Sequence, residues 1–370
     1  MPHLVAIDLP GGQAFVDALR RAWDDGDAVF PVDRRLPPAA RAAVFESLRP
    51  DRLVDADGVR SLPGDGVEPG DALVMATSGS TGTPKGVVLT HDAVAASAAA
   101  TSARLRIGAD DTWLACLPLA HVGGLSVVTR ALHTGTGLVV HDGFDAERVA
   151  DAARAGVTAV SLVSTALQRV DPSWFRVIVL GGSRPPDDRP SNCHTTYGLT
   201  ETGSGVVYDG VPLDGVEVRI SDDGEVLLRA PMMLRAYRDG SSPLDGDGWL
   251  HTGDLGRWLA DGRIHVEGRR GDLIITGGEN VWPDAVEAAL LTHPAVAEVA
   301  VAGTADPEWG QRVVAWVVPA DPSAPPTLAE LRRHVADTLP AFCAPKELRF
   351  ATTLPRTALG KIQRHRLDRQ

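Results

Sequence analysis

The sequence is poor in cysteine, in lysine and in long apolar runs. Its three cysteines are far apart and odd in number, so neither a disulfide framework nor a cysteine zinc site is expected. No apolar run approaches the length that spans a bilayer, and residues 1–5 lack the basic and apolar segments of a signal peptide. We therefore expect no membrane helix and a reduced, cytoplasmic location.

Positive charge is also scarce. Lysine and arginine together number 36 against 48 acidic residues, which leaves a net charge of −12 at pH 7. Such a charge argues against binding to nucleic acid or to an anionic membrane. The apolar fraction of 44% and the length of 370 residues are ordinary for a globular protein of two or more domains. The expected partners are small molecules, and a homodimer is the prior for its assembly.

Only three of the basic residues are lysines, and one of them, Lys85, lies in a stretch rich in glycine and hydroxyl side chains. Residues 77–86 contain three glycines and five serines or threonines. Glycines let backbone N–H groups surround an anion, hydroxyls add donors, and the lysine adds charge. The stretch predicts a phosphate-binding loop, although a flexible surface loop has a similar composition.

The flanks of this stretch indicate what kind of loop to expect. Pro84 stands where a Walker A loop has its second glycine, so the pattern is not Walker A. Apolar runs at 72–76 and 87–89 flank the loop, and a helix is predicted only after Thr90 or Asp92 as its cap. This order predicts a strand–loop–strand hairpin that closes over phosphates.

Beyond the loop, the hydrophobic pattern changes twice. Up to about residue 180, predicted strands alternate with predicted helices, which favours a mostly parallel α/β structure. Short strands with tight turns follow at 205–268, and an α+β unit follows them. The predicted fold class is α/β, with a large N-terminal domain of layered α/β sheets plus a small antiparallel β-subdomain over 1–268. A small, mobile α+β C-terminal domain is predicted over 269–370, with a hinge near Gly271.

The segment 195–203 combines an aromatic ring, hydroxyls and a carboxylate. The ring of Tyr197 can stack on a purine, Thr200 can hold a phosphate, and Glu201 can coordinate Mg²⁺ between phosphate oxygens. A polar loop that happens to contain a glutamate has the same composition.

Three more polar segments follow. Asp254 stands on a glycine turn within 249–256, where it can accept both hydroxyls of a ribose or simply stabilise the turn. Arginine beside glycine at 268–272 indicates a hinge. Lys361 lies in a polar, glycine-bearing segment at 355–364 that alone would pass as a basic tail.

Taken in this order, the motifs resemble those of the acyl-adenylate-forming superfamily, which includes acyl-CoA synthetases, peptide-synthetase adenylation domains and firefly luciferase. The resemblance covers residues 77 to about 367. It implies an AMP-forming acid–thiol ligase that uses ATP, Mg²⁺ and coenzyme A. Such an enzyme adenylates a carboxylic acid, releases pyrophosphate and transfers the acyl group to the thiol of coenzyme A.

The resemblance implies a role for each motif residue. The loop over the β- and γ-phosphates of ATP would comprise Thr77, Ser78, Gly79, Ser80, Thr81, Gly82, Thr83 and Lys85. The adenine pocket would be lined by Gly181, Gly182, Tyr197 and Gly198. Thr200 would contact the α-phosphate and Glu201 would hold the metal, whereas the ribose would be bound by Asp254 and Arg269.

A domain movement is also implied. Lys361 would first reach the substrate carboxylate and the α-phosphate from the C-terminal domain. That domain would then rotate, withdraw Lys361 and open a path for coenzyme A beside Gly277, Gly278 and Glu279. The hinge position, which often carries Asp or Lys in the family, is Gly271 here, and glycine eases rotation.

Two features indicate which carboxylic acid is the substrate. Fewer residues precede the phosphate loop than in most relatives, and the segment 159–170, with Ser164 and Thr165, resembles the o-succinylbenzoate–CoA ligases of menaquinone synthesis. His121 matches the family's Pro-Leu-x-His element, which borders the acyl pocket. The expected substrate is 2-succinylbenzoate, and Arg169 and Arg184 are candidates for binding its second carboxylate.

Three alternatives remain open at this point. The chain could be another acyl- or aryl-CoA ligase, or an adenylation enzyme that loads a carrier protein. It could also be a non-catalytic nucleotide-binding relative, although such a protein would have no need of Lys85, Glu201, Asp254 and Lys361 together.

Overall fold

The computed structural model describes residues 1–78, 84–182, 189–356 and 362–369. The chain divides into two compact units. Unit 1 comprises Met1–Arg219, Leu227–His251 and Trp258–Ile264, and unit 2 comprises Ile220–Val226, Thr252–Arg257 and His265–Gln370.

Strands and helices alternate over much of the chain. The strands are β1 (Leu4–Ile7), β2 (Ala28–Pro31), β3 (Arg52–Asp55), β4 (Gly58–Ser61), β5 (Asp71–Ser78), β6 (Pro84–Thr90), β7 (Thr112–Ala115), β8 (Gly137–Val140), β9 (Ala159–Leu162), β10 (Val177–Leu180), β11 (Cys193–Gly198), β12 (Gly205–Tyr208), β13 (Val211–Pro212), β14 (Glu217–Ile220), β15 (Glu225–Arg229), β16 (Ala236–Tyr237), β17 (Leu250–Trp258), β18 (Ile264–Arg269), β19 (Ile274–Thr276), β20 (Glu279–Val281), β21 (Val296–Asp306), β22 (Gly310–Pro319) and β23 (Glu347–Phe350). The α-helices are α1 (Gln13–Asp24), α2 (Pro38–Leu48), α3 (His91–Leu105), α4 (Val122–Thr134), α5 (Ala146–Arg154), α6 (Ser164–Leu167), α7 (Pro283–Leu291) and α8 (Leu328–Ala336). Single turns of 3-10 helix include Thr200–Thr202 and Arg270–Asp272.

The first sheet of unit 1 has the strand order β16-β6-β5-β2-β1-β3-β4. Strand β1 pairs in parallel with β2 and β3, and β2 pairs in parallel with β5. Strands β1 and β2 are fully buried, continuous apolar runs, as parallel strands covered on both faces require. Strands β5 and β6 form an antiparallel pair, so the predicted strand–loop–strand hairpin is confirmed.

The second sheet of unit 1 has the order β13-β12-β11-β10-β9-β7-β8. Strands β7 to β11 are parallel, so their carboxyl ends lie along one edge. Open α/β sheets bind ligands outside that edge, which makes it the place to look for a site.

One apolar core joins both sheets of unit 1 to the helices α1, α3 and α4. Trp113, Phe15 and Leu19 are among its fully buried side chains, each of which contributes roughly 1.5–3 kcal/mol of burial free energy. Thr90 caps the start of helix α3, since its Oγ1 accepts a hydrogen bond from the N–H of Ala93 at 3.2 Å. Of the two predicted cap residues, Thr90 and Asp92, Thr90 is therefore the one that caps the helix.

Unit 2 contains a sheet in the order β20-β19-β22-β21, and β23 pairs in parallel with β22. Helices α7 and α8 pack together beside it. Helix α8 begins with a capping box, in which Glu330 N–H donates to Thr327 Oγ1 at 3.3 Å and Thr327 N–H donates to Glu330 Oε2 at 2.8 Å. A further sheet has the order β14-β15-β17-β18.

The predicted fold class is confirmed, since layered mixed sheets are followed by a smaller α+β part. The α/β alternation from residue 72 to 180 appears as β5 to β10 with helices α3 to α6. Sequence analysis missed β1 to β4 and the strands β11 to β13. The domain boundary at 268/269 stays a prediction, since unit 2 also includes 220–226 and 252–257. Among the described helices, none is long and apolar enough to cross a membrane.

Candidate functional site

The two strands of the predicted phosphate hairpin hold its ends in register. Thr77 lies opposite Lys85 and Ser78 opposite Pro84 across the β5–β6 pair. Thr77 Oγ1 donates a hydrogen bond to the carbonyl of Lys85 at 3.4 Å. The tip of the hairpin, with Gly79, Ser80, Thr81, Gly82 and Thr83, lies outside the described residues.

Lys85 and Glu201 both contact Tyr237. The Lys85 ammonium lies 4.5 Å from the centre of the Tyr237 ring, and the Tyr237 hydroxyl donates to Glu201 Oε1 at 2.9 Å. Burial and the nearby Glu201 charge raise the pKa of Tyr237, so its hydroxyl stays protonated and can act as a donor. The arrangement holds a cation over the ring and a carboxylate at its hydroxyl.

Tyr237 was missed by sequence reasoning. It lies in the two-residue strand β16, which pairs with β6 so that Tyr237 is opposite Val87. The two positions are far apart in sequence, and no local motif marks the tyrosine. Only the sheet pairing brings it to the phosphate hairpin.

The residues predicted to line the adenine pocket lie where β10 and β11 end. Gly181 and Gly182 directly follow β10, and Tyr197 and Gly198 are the last residues of β11. Gly198 pairs with Gly205, and a Cβ on Gly198 would lie 2.2 Å from the carbonyl oxygen of Ser204. No side chain fits at position 198 without a shift of the backbone.

Thr200 and Glu201 follow at once in a 3-10 turn. Thr202 Oγ1 stabilises this turn, because it accepts from Leu199 N–H at 2.9 Å and lies 2.7 Å from the carbonyl of Ser204. The carbonyl of Glu201 accepts from Leu234 N–H at 2.7 Å. The glutamate is therefore held by its backbone and by its side chain.

His121, Ser164 and Thr165 lie at the same edge of the second sheet. His121 precedes α4 in the connection from β7, and Ser164 and Thr165 begin α6 after β9. Thr165 is exposed and Ser164 is half-buried. The structure thus brings the predicted acyl-side and adenine-side residues to the carboxyl ends of neighbouring strands. Of the two arginines suggested for the second carboxylate, Arg169 stacks 5.1 Å from the centre of the Phe144 ring, and Arg184 lies outside the described residues.

Two residues that sequence reasoning missed contact His121. Its Nε2 lies 3.2 Å from Asp33 Oδ2 and 2.7 Å from Arg35 Nη2. Arg35 also binds Asp33 with two parallel hydrogen bonds, both 2.9 Å. Burial raises the pKa of Asp33, but the side-chain and backbone hydrogen bonds from Arg35 and its positive charge oppose burial, and that pKa lies well below its usual range.

In unit 2, the predicted ribose-binding pair is in contact. Arg269 Nε lies 2.8 Å from Asp254 Oδ1, and Arg269 Nη1 donates to the carbonyl of Thr252 at 3.0 Å. The Asp254 side chain is buried, whereas that of Arg269 is partly exposed. An ionised carboxylate held in this way can accept hydrogen bonds from hydroxyls.

Gly277 and Gly278 form the turn of a hairpin between β19 and β20 in unit 2. Their φ angles are +61° and +85°, in the left-handed region that favours glycine. A Cβ on Gly277 would lie 2.6 Å from the ring of Trp309, so a larger residue at position 277 would require that ring to shift. Glu279 follows the turn and is exposed. Gly271 lies in a 3-10 turn outside the left-handed region, so its role as a hinge stays a prediction.

Lys361 lies outside the described residues, but Arg364, three residues on, is well anchored in unit 2. Its guanidinium contacts Asp272 at 3.1 Å and Glu287 at 2.9 Å, contacts Asp284 as well, and donates to the carbonyl of Val301 at 3.1 Å. Sequence reasoning did not single out this arginine. Its three carboxylate partners come from two elements, the 3-10 turn Arg270–Asp272 and helix α7, and no pattern in the segment 355–364 indicates them.

Comparison with known proteins assigns the family. The model of the AMP-binding enzyme family matches residues 32–238, and the model of its C-terminal domain matches residues 285–361. The chain belongs to the AMP-binding enzyme family.

Relatives of this family member are similar over most of its length. A probable 2-succinylbenzoate–CoA ligase from Mycobacterium tuberculosis H37Rv is 40% identical over 99% of this chain and 98% of the relative. A 2-succinylbenzoate–CoA ligase from Bacillus mycoides is 36% identical over 80% of this chain and 69% of the relative. The structure of o-succinylbenzoate CoA synthetase from Bacillus subtilis with its acyl-adenylate intermediate matches with a TM-score of 0.89 at 29% identity, over 99% of this chain and 88% of that one.

The donor set of this AMP-binding enzyme suits magnesium bound together with a nucleotide. In the described part of the chain, no group of three or more His, Cys, Asp or Glu side chains could hold a metal alone. Magnesium in nucleotide sites keeps waters and phosphate oxygens as ligands and needs only one or two carboxylates. The oriented carboxylate of Glu201 fits that requirement.

The environment of the three cysteines makes them poor nucleophiles. All three are free and buried. Burial raises the pKa of the Cys116 thiol to about 12 and also raises the pKa values of Cys193 and Cys343. A buried thiol with a raised pKa is a poor nucleophile.

Proposed function

We propose that this chain is an AMP-forming 2-succinylbenzoate–CoA ligase. It converts 2-succinylbenzoate, ATP and coenzyme A to 2-succinylbenzoyl-CoA, AMP and pyrophosphate. The observation that carries the proposal is the match of 40% identity to a ligase of that name over 99% of this chain and 98% of the relative. Similarity over both lengths covers the substrate-binding part and the C-terminal part together.

The residues of unit 1 support the first half-reaction. The β5–β6 hairpin and Lys85 would bind the β- and γ-phosphates, and Thr200 would contact the α-phosphate. Glu201, oriented by Tyr237, would hold magnesium. Magnesium, when bound, neutralises phosphate charge as a carboxylate oxygen attacks the α-phosphate.

We propose the remaining roles by analogy with the family. Tyr197, beside Gly181, Gly182 and Gly198, would pack on the adenine, and Asp254 with Arg269 would accept the ribose hydroxyls. Lys361 would offset the charge that develops between the acid and the α-phosphate.

The second half-reaction needs a different arrangement. We propose that the part after residue 268 moves near Gly271, withdraws Lys361 and presents Gly277, Gly278 and Glu279 to coenzyme A. The thiol then attacks the acyl carbon, and AMP leaves with its phosphate.

Location and assembly are further parts of the proposal. A cytoplasmic enzyme, which acts on small molecules and not on nucleic acid or membranes, agrees with the free cysteines and with the net charge of −12. A homodimer remains the proposed assembly.

The test is pyrophosphate release with a panel of carboxylic acids, with and without coenzyme A. We expect release with 2-succinylbenzoate and formation of its thioester when coenzyme A is added. Release with a different acid would assign another acyl-CoA ligase. Adenylate without thioester would favour a carrier protein as the acceptor, and no release with any acid would leave a nucleotide-binding relative.

A further inference from the structure

The contact between His121 and Arg35 constrains where the imidazole carries its proton. His121 Nε2 lies 2.7 Å from Arg35 Nη2. A guanidinium nitrogen can only donate, so a contact this short requires a lone pair on Nε2. The ring proton then resides on Nδ1.

The neighbouring carboxylate offers the opposite arrangement at a longer distance. Asp33 Oδ2 lies 3.2 Å from the same Nε2, where a proton on Nε2 would donate to it. The two arrangements exclude each other, because an N–H on Nε2 would face the N–H of Arg35. The shorter contact favours the Arg35 donor.

Arg35 is held for this role by Asp33. Its Nε and Nη2 bind the two oxygens of Asp33 at 2.9 Å each, which fixes the plane of the guanidinium. The Asp33 carboxylate is nearly buried, with 10% of its side chain exposed. In contrast, His121 Nδ1 has no hydrogen-bond partner in the part of the chain that the structure describes.

We propose that Arg35, held by Asp33, is a positioning residue that fixes His121 as the neutral Nδ1–H tautomer and so presents that N–H to an oxygen of the acid substrate. This inference rests on the proposed function, which places His121 at the acyl pocket. It assigns Asp33 and Arg35 a part in substrate recognition that neither the sequence motifs nor the family comparison provides. The group that His121 recognises is an acyl or carboxylate oxygen of the substrate, which accepts a hydrogen bond from the neutral imidazole.

The proton position can be measured directly. In protein labelled with 15N-histidine, long-range proton–nitrogen correlation distinguishes the protonated ring nitrogen from the bare one, and His121→Asn assigns the signals by their loss. We expect Nδ1 to be protonated in the wild-type protein. A proton on Nε2 would overturn the proposal without any variant being needed.

Two variants then distinguish the role of Arg35 from that of Asp33. Arg35→Met removes the donor, so the proton should move to Nε2 and bind Asp33, and the KM for the acid should rise about tenfold with little change in kcat, the size of one lost hydrogen bond. Asp33→Asn should keep the Nδ1–H tautomer, because both Arg35 and the new amide can donate. If Asp33→Asn shifts the proton and Arg35→Met does not, the ring donates to Asp33 and the proposal is wrong.

Control variants distinguish the tautomer result from a loss of folding, and the wild-type activity distinguishes it from a failure of the proposed function. Arg34→Met removes the adjacent guanidinium, which lies 3.5 Å from Asp8 and is 49% exposed against 44% for Arg35, and it should change neither the tautomer nor KM. Arg35→Lys keeps a donor, so it should retain the Nδ1–H form if Arg35→Met does not fold; loss of that form in a folded Arg35→Lys protein would count against the proposal. If the wild-type protein releases no pyrophosphate with 2-succinylbenzoate, the proposed function fails while the tautomer measurement still stands.

Discussion

The hydroxyl of Tyr237 offers a sharp test of how Glu201, the carboxylate proposed to bind magnesium, is oriented. The change Tyr237→Phe removes the hydrogen bond to Glu201 Oε1, which is 2.9 Å long, and keeps the ring that contacts Lys85. A half-buried hydrogen bond to a carboxylate contributes about 1.5–3 kcal/mol, which corresponds to about 10- to 100-fold in affinity. Loss of a group that orients a metal ligand typically has an effect of that size.

The assay is pyrophosphate release measured as a function of magnesium concentration at saturating ATP and acid. We expect the magnesium concentration for half-maximal rate to rise at least about tenfold, with a smaller change in the unfolding midpoint. Tyr208→Phe is the matched control, because among the residues that the structure describes the Tyr208 hydroxyl makes a single, long contact of 3.5 Å, with Thr101 in the core. An unchanged magnesium dependence in Tyr237→Phe would refute the view that Tyr237 orients Glu201 for the metal.

Three further predictions concern unit 2, pH and the nucleotide side. In a urea titration, Arg364→Met should lower the free energy of unfolding of unit 2 by about 3 kcal/mol, because it leaves clustered carboxylates without their cation. The control Arg356→Met changes a side chain that is 42% exposed, and it should lower that free energy by under about 1 kcal/mol. Burial lowers the pKa values of His91 and His133 in the folded protein, so the unfolded chain binds more protons. The free energy of unfolding should therefore fall as the pH drops through about 6.5. If a variant with both histidines changed to Gln shows the same dependence of that free energy on pH, the explanation is wrong. Gly198→Ala should destabilise unit 1 by roughly 1–3 kcal/mol and weaken ATP binding in calorimetry, and normal ATP affinity would exclude Gly198 from the pocket.

Much of the fold was predictable because its signals are local. The apolar runs around residues 77–86 specify two strands, and their separation by a glycine-rich loop specifies the hairpin. Alternating strand and helix patterns from 72 to 180 specify a parallel sheet, since parallel strands need long crossovers. Helix α7 begins at Pro283, and a proline in the first turn is a local signal for a helix start.

The missed elements have weak local signals. Strand β11 contains Cys193, His194 and two threonines and is mostly half-buried. Its sequence is therefore typical of a polar loop, and only its pairing with β10 and β12 identifies it as a strand. Strand β16 has only two residues. Such strands form because a neighbouring strand offers hydrogen bonds, and a window of sequence does not contain the neighbour.

The sequence by itself determined the order of the proposed phosphate, metal and ribose motifs, since each depends on residue types a few positions apart. Through these motifs it also indicated the family. Which side chains orient those motifs was decided only by tertiary structure. Tyr237 reaches Glu201 and Lys85 through a strand pairing, and Asp33 and Arg35 reach His121 from the other sheet of unit 1. A hydrogen bond acts over about 3 Å in space, whatever the distance along the chain, so the partners of a recognised motif residue appear only once the chain is folded.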